Sequence, residues 1–348
     1  MKIMLITQLP PPSGGIATWS KKYVRYCEEN NISLAVVNNA MIGNRGSDFH
    51  AKKSLCAELK RAYNVIKDIR KTKNAFHPEV VHFNITCSPT GIIRDYLYIC
   101  TVGRKIPVLL HCRCTVQDQL HGSKIGIHFF KKTVARANKV LVLNESSAIY
   151  TKEITGKTPV KVANFIDEEY IRKDEKVINE KIERVVYIGL VQTAMGCNEI
   201  LAAANSFPNV QFRFVGQVDD GFNKETASEN VIFLGNQPPE NVKQELDEAD
   251  VFLFPSYTEG FANSVAEAMA RGLPIIASDV GANKDMIENN GGIIIPAKND
   301  TAIIEAIKRI ENPELRKQMS KWNLKKVADK YIIQKVMDEL FTLYSDSM

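Results

Sequence analysis

The stretch SYTEGFANSVAEAMARGLP, residues 256–274, carries two carboxylates eight positions apart, Glu259 and Glu267. It follows the apolar run VFLFPS and opens a segment of helical composition. A carboxylate beside a glycine at a strand end can accept hydrogen bonds from sugar hydroxyls. Gly260 lets a ligand approach the backbone. The amides of Phe261, Ala262 and Asn263 lie near the start of the helix, where free N–H groups and the helix dipole favour phosphate. Glu267, one turn in, could accept both hydroxyls of a ribose. A sugar, a diphosphate and a ribose stand in that order in a nucleoside diphosphate sugar. The spacing also admits a structural reading: Ser264 followed by Glu267 is the S-x-x-E of a capping box. Glu259 is then an exposed turn carboxylate.

Other reactive groups are sparse. All six histidines fall in the first 130 residues, so any imidazole chemistry must come from there. HCRC at residues 111–114 has no second Cys/His cluster at zinc spacing, and no metal site is expected. No D-x-D stands at a strand end; Asp219 and Asp220 are an adjacent pair in a loop. No G-x-G-x-x-G follows the first strand of either half, and no Walker A sequence occurs, so neither a nicotinamide cofactor nor a P-loop is expected. NITCSPTGIIRDY reads as a polar loop beside a strand, with Asn84, Thr86, Ser88 and Arg94 able to line a binding surface.

The elements that must hold these groups alternate. KIMLITQL, ISLAVVNN, EVVHFNI, PVLLHCR and KVLVLN are strand-like apolar runs. Between them, IATWSKKYVRYCEEN and SLCAELKRAYNVIKDIRKTK repeat at helical spacing. After a charged, weakly patterned stretch the alternation restarts with RVVYIGLV, VQFRFVG, VIFLG, VFLFPS, PIIASD and GGIIIP, and residues from Thr301 on read as helical. Continuous apolar strands separated by helices predict parallel sheets covered on both faces. The chain reads as two α/β domains in series: residues 1–166 with the last helix, 331–348; a linker, 167–183; and residues 184–330. Ligands of such sheets bind at the carboxyl ends of the strands.

Composition fits this reading. The chain has 348 residues, 45% hydrophobic and 24% charged, enough for two cores. No run of about 18 apolar residues suggests a membrane span. Seven cysteines without a regular framework suggest reduced thiols and a cytoplasmic setting. Residues 1–176 hold 28 Lys/Arg against 15 Asp/Glu, a surplus of thirteen positive charges, while the remainder holds 17 against 25. A basic first half suggests an anionic partner. No nucleic-acid motif is present, so a membrane surface or a phosphate-bearing lipid is the expected one.

EGFANSVAEAMARGLPIIASDVGANKDMI resembles the E-x7-E segment of retaining GT-B glycosyltransferases of the family often called GT4. PPPSGGIATW resembles that family's first glycine-rich loop, and PEVVHFN, KIPVLLHCR, VYIG, ADVFLFPS and GGIIIPAKND resemble its further landmarks in order. The resemblance implies two Rossmann-like domains facing across a cleft, with the C-terminal helix crossing back to the first. Glu259 would contact the donor sugar and Glu267 the ribose. The amides from Gly260 to Ser264, with Gly15 and Gly189, would hold the diphosphate. The basic first domain would hold the acceptor, a glycan or lipid-linked glycan, with Asn84, Arg94 and Arg113 as acceptor-side candidates. The resemblance further implies a nucleoside diphosphate sugar as donor and surface polysaccharide synthesis at the inner membrane face as the setting.

Two departures stand out. Relatives often read G-R-(four residues)-K-G after the first strand of the second domain, whereas residues 189–196 here are GLVQTAMG. Leu190 and Met195 stand where an arginine and a lysine would neutralise the diphosphate. Lys284 and Arg113 are candidate substitutes by elimination. Relatives also carry a histidine near the end of VLLHCRC, some as H-x-H; here both His111 and Arg113 stand open for that position. The missing cations keep a catalytically weak scaffold subunit as an alternative. Glu259 with His111 keeps a nucleotide-sugar epimerase as another.

Overall fold

The computed structural model of the chain describes residues 1–11, 14–40 and 55–348. It divides into two compact units, Met1–Val162 with Met337–Met348, and Ala163–Val336. Pro12 and Ser13 of the expected glycine-rich loop, and Ser54 at the expected start of the second helix, lie outside the described residues.

The first unit runs β1 (Lys2–Thr7), α1 (Gly15–Glu29), β2 (Ser33–Asn38), α2 (Leu55–Phe76), β3 (Val80–Ile85) and α3 (Pro89–Val102). It continues through β4 (Val108–Cys112), α4 (Val116–Leu120), α5 (Lys124–Val134), β5 (Lys139–Val142), α6 (Glu145–Thr155) and β6 (Val160–Lys161). The strands form one parallel sheet in the order β2-β1-β3-β4-β5-β6. Every residue of β3 and β4 is buried. Their unbroken apolar runs therefore mark strands covered on both faces. One core cluster holds Phe83, Leu110, Tyr98, Ile99 and Phe130, which come from two strands and two helices. Each such side chain contributes about 1.5–3 kcal/mol on burial. Asn84 pairs in register with His111, and His82 lies two residues before Asn84. All three side chains therefore project from one face.

The polar stretch after β3 is not a loop throughout. Ser88 caps α3 by accepting from the amide of Gly91, and Pro89 occupies the first turn. Asn84 therefore lies on β3, Thr86 and Ser88 in a short turn, and Arg94 on the helix.

The second unit runs β7 (Arg184–Ile188), α7 (Cys197–Ala204), β8 (Gln211–Val215), β9 (Val231–Gly235), α8 (Pro239–Glu248), β10 (Val251–Phe254) and α9 (Asn263–Ala270). Then come β11 (Ile275–Ser278), α10 (Asn283–Ile287), β12 (Gly292–Ile295), α11 (Asp300–Arg309), α12 (Pro313–Lys330) and α13 (Ile333–Ser345), whose last part joins the first unit. Its sheet is also parallel, in the order β12-β11-β10-β7-β8-β9. Tyr187, Phe214 and Phe233 pack in a row across three neighbouring strands, with ring centroids 5.6 and 5.0 Å apart. The helical tail breaks where Asn312 caps α12, with Pro313 in its first turn.

Residues 167–183, expected as a linker, are packed onto the second unit. The Arg172 amide donates to the Ala270 carbonyl, Lys176 Nζ donates to the Asp247 carbonyl, and the buried Arg316 donates to the carbonyls of Asn179 and Glu180. Backbone groups and the charged side chain of Lys176 fasten a stretch whose composition looks unstructured.

Candidate functional site

β10 and β7 are hydrogen-bonded neighbours, so the loops leaving their carboxyl ends meet. The Tyr257 amide donates to the Ala194 carbonyl, 3.0 Å, and Ser256 Oγ lies 3.6 Å from Met195 Sδ. Gly196 fixes this contact. Its φ is +74°, and a Cβ there would stand 2.1 Å from the Pro255 carbonyl oxygen. A side chain would force the two loops apart. The third strand in line, β11, contributes Ser278, whose hydroxyl donates to the Ser256 carbonyl. Its following loop brings Gly281, with φ +56°, against the Glu259–Gly260 backbone: a Cβ there would be 2.4 Å from the Glu259 carbonyl oxygen.

Glu259 sits half-buried in this frame. Burial pushes its carboxyl up to about 7, against a hydrogen bond from Ser256 that pulls it down. The group is thus poised between carboxylate and acid at neutral pH. The capping box that the spacing also admits does not form. α9 starts at Asn263 with Ala262 as its cap residue and no side-chain cap bond, so Ser264 already lies inside the helix. Phe261 and Ala262 are buried, and the Phe261 ring packs edge-on against Tyr331 with centroids 5.5 Å apart. Asn263 Oδ1 accepts from Asn164 Nδ2 at 2.9 Å. These anchors fix the loop that delivers Gly260 to the helix start. Glu267 is half-buried; burial, and after it the Glu267 charge, raise the pKa of the Tyr170 hydroxyl.

Residues 189–196 run beside that loop. The Gly189 amide donates to Val215 and the Val191 amide to Gln217, and Tyr187 Oη donates to the Leu190 carbonyl at 2.8 Å. Leu190 is 40% exposed, so an apolar side chain points outward where relatives have a cation. Lys284 is exposed on α10.

In the first unit, Gly15 is exposed at the start of α1 with open space around its Cα. The helix has no side-chain cap and no acidic residue in its first turn. His111 has no accessible surface. Its Nδ1 lies 3.2 Å from His82 Nε2, and Arg113 Nη1 lies 3.3 Å from its Nε2. The guanidinium is in turn 4.3 Å from the centre of the Trp19 ring. Arg113 and Trp19 thus both pack against the buried His111 ring. Burial, and then the Arg113 charge, push the His82 pKa down to about 3 and that of His111 well below its ordinary value. Both rings are therefore neutral at physiological pH. Burial also lowers Arg113 to about 9. Asn84 is buried as well and donates to Thr7 Oγ1 at 2.9 Å. The network ends on the last helix, where Tyr344 Oη lies 2.5 Å from His82 Nδ1 and 2.9 Å from Tyr23 Oη.

Sequence reasoning missed Gly196, Gly281, Tyr187 and Ser278 as the frame of the site. The glycines in GLVQTAMG and DVGANK were the available signals. Nothing in the sequence pointed to Tyr344. Among the described residues no three His, Cys, Asp or Glu side chains converge as a metal site would need, and no helix is long and apolar enough to cross a membrane.

Residues 168–326 match the family described as Glycosyl transferases group 1. The matched stretch begins inside the segment expected as a linker. Each unit is a Rossmann-like parallel sheet, and the fold is that of solved GT-B structures. HepE of Anabaena, solved with UDP and glucose, superimposes with a TM-score of 0.74 at 15% identity, over 99% of this chain and 100% of that one. In sequence, the chain is 26% identical to TuaC of Bacillus subtilis, a glycosyltransferase named for teichuronic acid biosynthesis. That match covers 69% of this chain and 63% of TuaC, under two thirds of its length. It is 23% identical to the capsular polysaccharide biosynthesis glycosyltransferase CapM of Staphylococcus aureus, over 66% of this chain and 67% of CapM.

Proposed function

We propose that the chain transfers a sugar from a nucleoside diphosphate sugar, with retention of anomeric configuration, to a hydroxyl of a glycan or lipid-linked glycan in bacterial surface polysaccharide synthesis. The observation that carries this reading is the meeting of the β7 and β10 loops around Glu259, Gly260 and the start of α9. The names of TuaC and CapM support the pathway class, and the ligands of HepE support the donor class.

In this reading Gly260 and the amides opening α9 hold the diphosphate, with Gly15 and Gly189 beside it. Glu259 orients the sugar and Glu267 accepts from the ribose hydroxyls. The bond from the anomeric carbon to the phosphate oxygen breaks, and a bond to the acceptor oxygen forms on the same face. The acceptor's proton passes to the departing phosphate oxygen, so no separate strong base is required. Fixed amides carry the developing charge without calling for a metal. The acceptor sits at an anionic membrane surface on the cytoplasmic side, attracted by the basic first half. Sedimentation with anionic liposomes that is insensitive to salt would sink that last point.

A screen of nucleoside diphosphate sugars of all bases by thermal shift identifies the donor. Glu267→Ala should weaken its binding by at least about ten-fold, the worth of hydrogen bonds to a charged group. An unchanged shift would remove the ribose assignment, and NMR of the product's anomeric proton tests retention. Leu190 and Met195 favour a second reading, a scaffold subunit that binds partners without turnover. It predicts no transfer with any donor, and partner binding unaffected by Glu259 or Glu267 substitution.

A further inference from the structure

The first sheet divides the outside of its unit into two faces of unlike charge. Side chains along β3 alternate between them. His82 meets Trp19 of α1 and Tyr344, whereas Phe83 meets Tyr98 of α3. The core cluster around Phe83 takes in Val65 of α2, Ile99 of α3, Leu120 of α4, Phe130 of α5 and Ile154 of α6, and nothing from α1. One face is therefore covered by α2 to α6, and the other by α1 with residues 337–348.

Outward, the two coverings differ. α2 exposes Lys60, Lys67, Arg70 and Lys71 against Asp68, and α5 exposes Lys124, Lys131 and Lys132 with no acid. α4 adds Asp118, and α6 adds Lys152 with Glu145 and Glu153, so this face shows eight cations to four acids. On the other face α1 exposes Lys21 and Arg25 against Glu28 and Glu29. Residues 337–348 add Asp338, Glu339 and Asp346, giving two cations to five acids. Among the described residues the one ion pair on α2 and α5 is Arg61 with Glu58, so the exposed cations there stay uncancelled.

Exposed apolar side chains follow the cations. Among the described residues of the first unit, the large ones are Leu59, Tyr63, Leu97, Ile125 and Ile149, besides Met1 and Met348 at the chain ends. All five stand on α2, α3, α5 and α6. Leu59 and Tyr63 are 71% and 66% exposed. They lie one turn apart on α2, and the four cations of that helix share their side, within about a third of its circumference. Val65 and Ile69 hold the opposite side in the core.

This combination fits one kind of surface. An anionic bilayer attracts lysine and arginine, and apolar side chains standing among them enter its headgroup layer. Tyrosine favours that interface. A protein partner is fitted by a contiguous apolar patch, whereas here the apolar residues are dispersed, one or two to a helix.

We infer that the first unit docks on an anionic lipid bilayer through the face covered by α2 to α6, with Leu59 and Tyr63 entering the headgroup layer and α1 turned away. This rests on the membrane partner proposed above and gives it an orientation.

The test is flotation of the full chain with vesicles of phosphatidylglycerol and phosphatidylcholine, against phosphatidylcholine alone. The parent should float with the anionic vesicles only. Lys67→Gln with Lys71→Gln should weaken that binding by about 25-fold, about five-fold for each charge. Lys21→Gln with Arg25→Gln, farther than a Debye length from the bilayer, should change it by less than about two-fold. Leu59→Ser with Tyr63→Ser should abolish the binding that survives added salt. Brominated lipid should quench a tryptophan introduced by Tyr63→Trp and not one introduced by Glu29→Trp, each read as the difference from the parent. All these positions are exposed, and unchanged melting temperatures verify the folds. No binding to anionic vesicles, or equal losses from the two faces, overturns the inference. Nucleotide-sugar binding, followed by thermal shift on the same preparations, should be equal in all variants. Its absence from the parent would sink the transferase reading and leave the docking face to be judged by flotation alone.

Discussion

Glu259→Gln separates what the candidate site costs the fold from what it gives the ligand. In the folded chain burial lifts the Glu259 carboxyl from its ordinary 4.5 to about 7. Between those values the folded chain holds a proton that the unfolded chain has released. The folded pKa is raised, so the contribution of Glu259 to stability is greatest below pH 4.5 and is lost as pH rises through 7. At about 1.4 kcal/mol per pH unit separating the two values, the loss at pH 8 is about 3 kcal/mol. Glutamine keeps the shape and never ionises. The variant should match the parent near pH 4 and exceed it by up to about 3 kcal/mol at pH 8. The chain has two tryptophans, Trp19 in the first unit and Trp322 in the second. In a Trp19→Phe background, urea unfolding followed by fluorescence therefore reports the second unit. The same substitution should weaken the sugar's contribution to donor binding, measured as nucleotide sugar against nucleotide alone, by about ten-fold at pH 8. In the parent that contribution should grow as pH rises through 7, because the carboxylate is the better acceptor. Identical pH dependence of stability in parent and variant would refute the buried-carboxyl argument.

Two other perturbations follow from the same frame. Gly281→Ala places a Cβ at φ +56°, 2.4 Å from the Glu259 carbonyl oxygen; it should cost about 1–3 kcal/mol in thermal unfolding and weaken donor binding by displacing Glu259. Leu190→Arg puts a cation on an exposed position beside the expected diphosphate; nucleoside diphosphate affinity should rise about ten-fold at low salt and the gain should shrink with added salt. No gain at low salt would mean that the 189–196 loop does not face the diphosphate.

The sheets were legible because buried parallel strands announce themselves as apolar runs: VVHFNI and VLLHC appear in the structure as β3 and β4. The helix after β3 was not, although Ser88 and Pro89 are start signals, because the polar residues that line its first turns masked the spacing of Ile92, Ile99 and Val102. The glutamate pair was legible as spacing, but not the choice between its two readings. A helix that begins at Asn263 rather than after Ser264 decides against the capping box. Gly281 acts on a backbone some twenty residues earlier, and Tyr344 on a histidine 262 positions away. Contacts of that span leave no local pattern. His111 shows the converse: its type and strand-end position suggest chemistry, and only packing reveals Arg113 and Trp19 lying over it.

The tie between Tyr344, His82 and Tyr23 bears on the order in which the molecule is made. The first unit is discontinuous, with Met337–Met348 belonging to it. A ribosome releases the whole of the second unit before those residues emerge. Until then His82 and Tyr23 lack the hydroxyl that joins them, and a buried polar group left without its partner costs about 1–3 kcal/mol. The half of the chain that is synthesised first is therefore the half that finishes folding last. Its core is completed only once Met337–Met348 have been made.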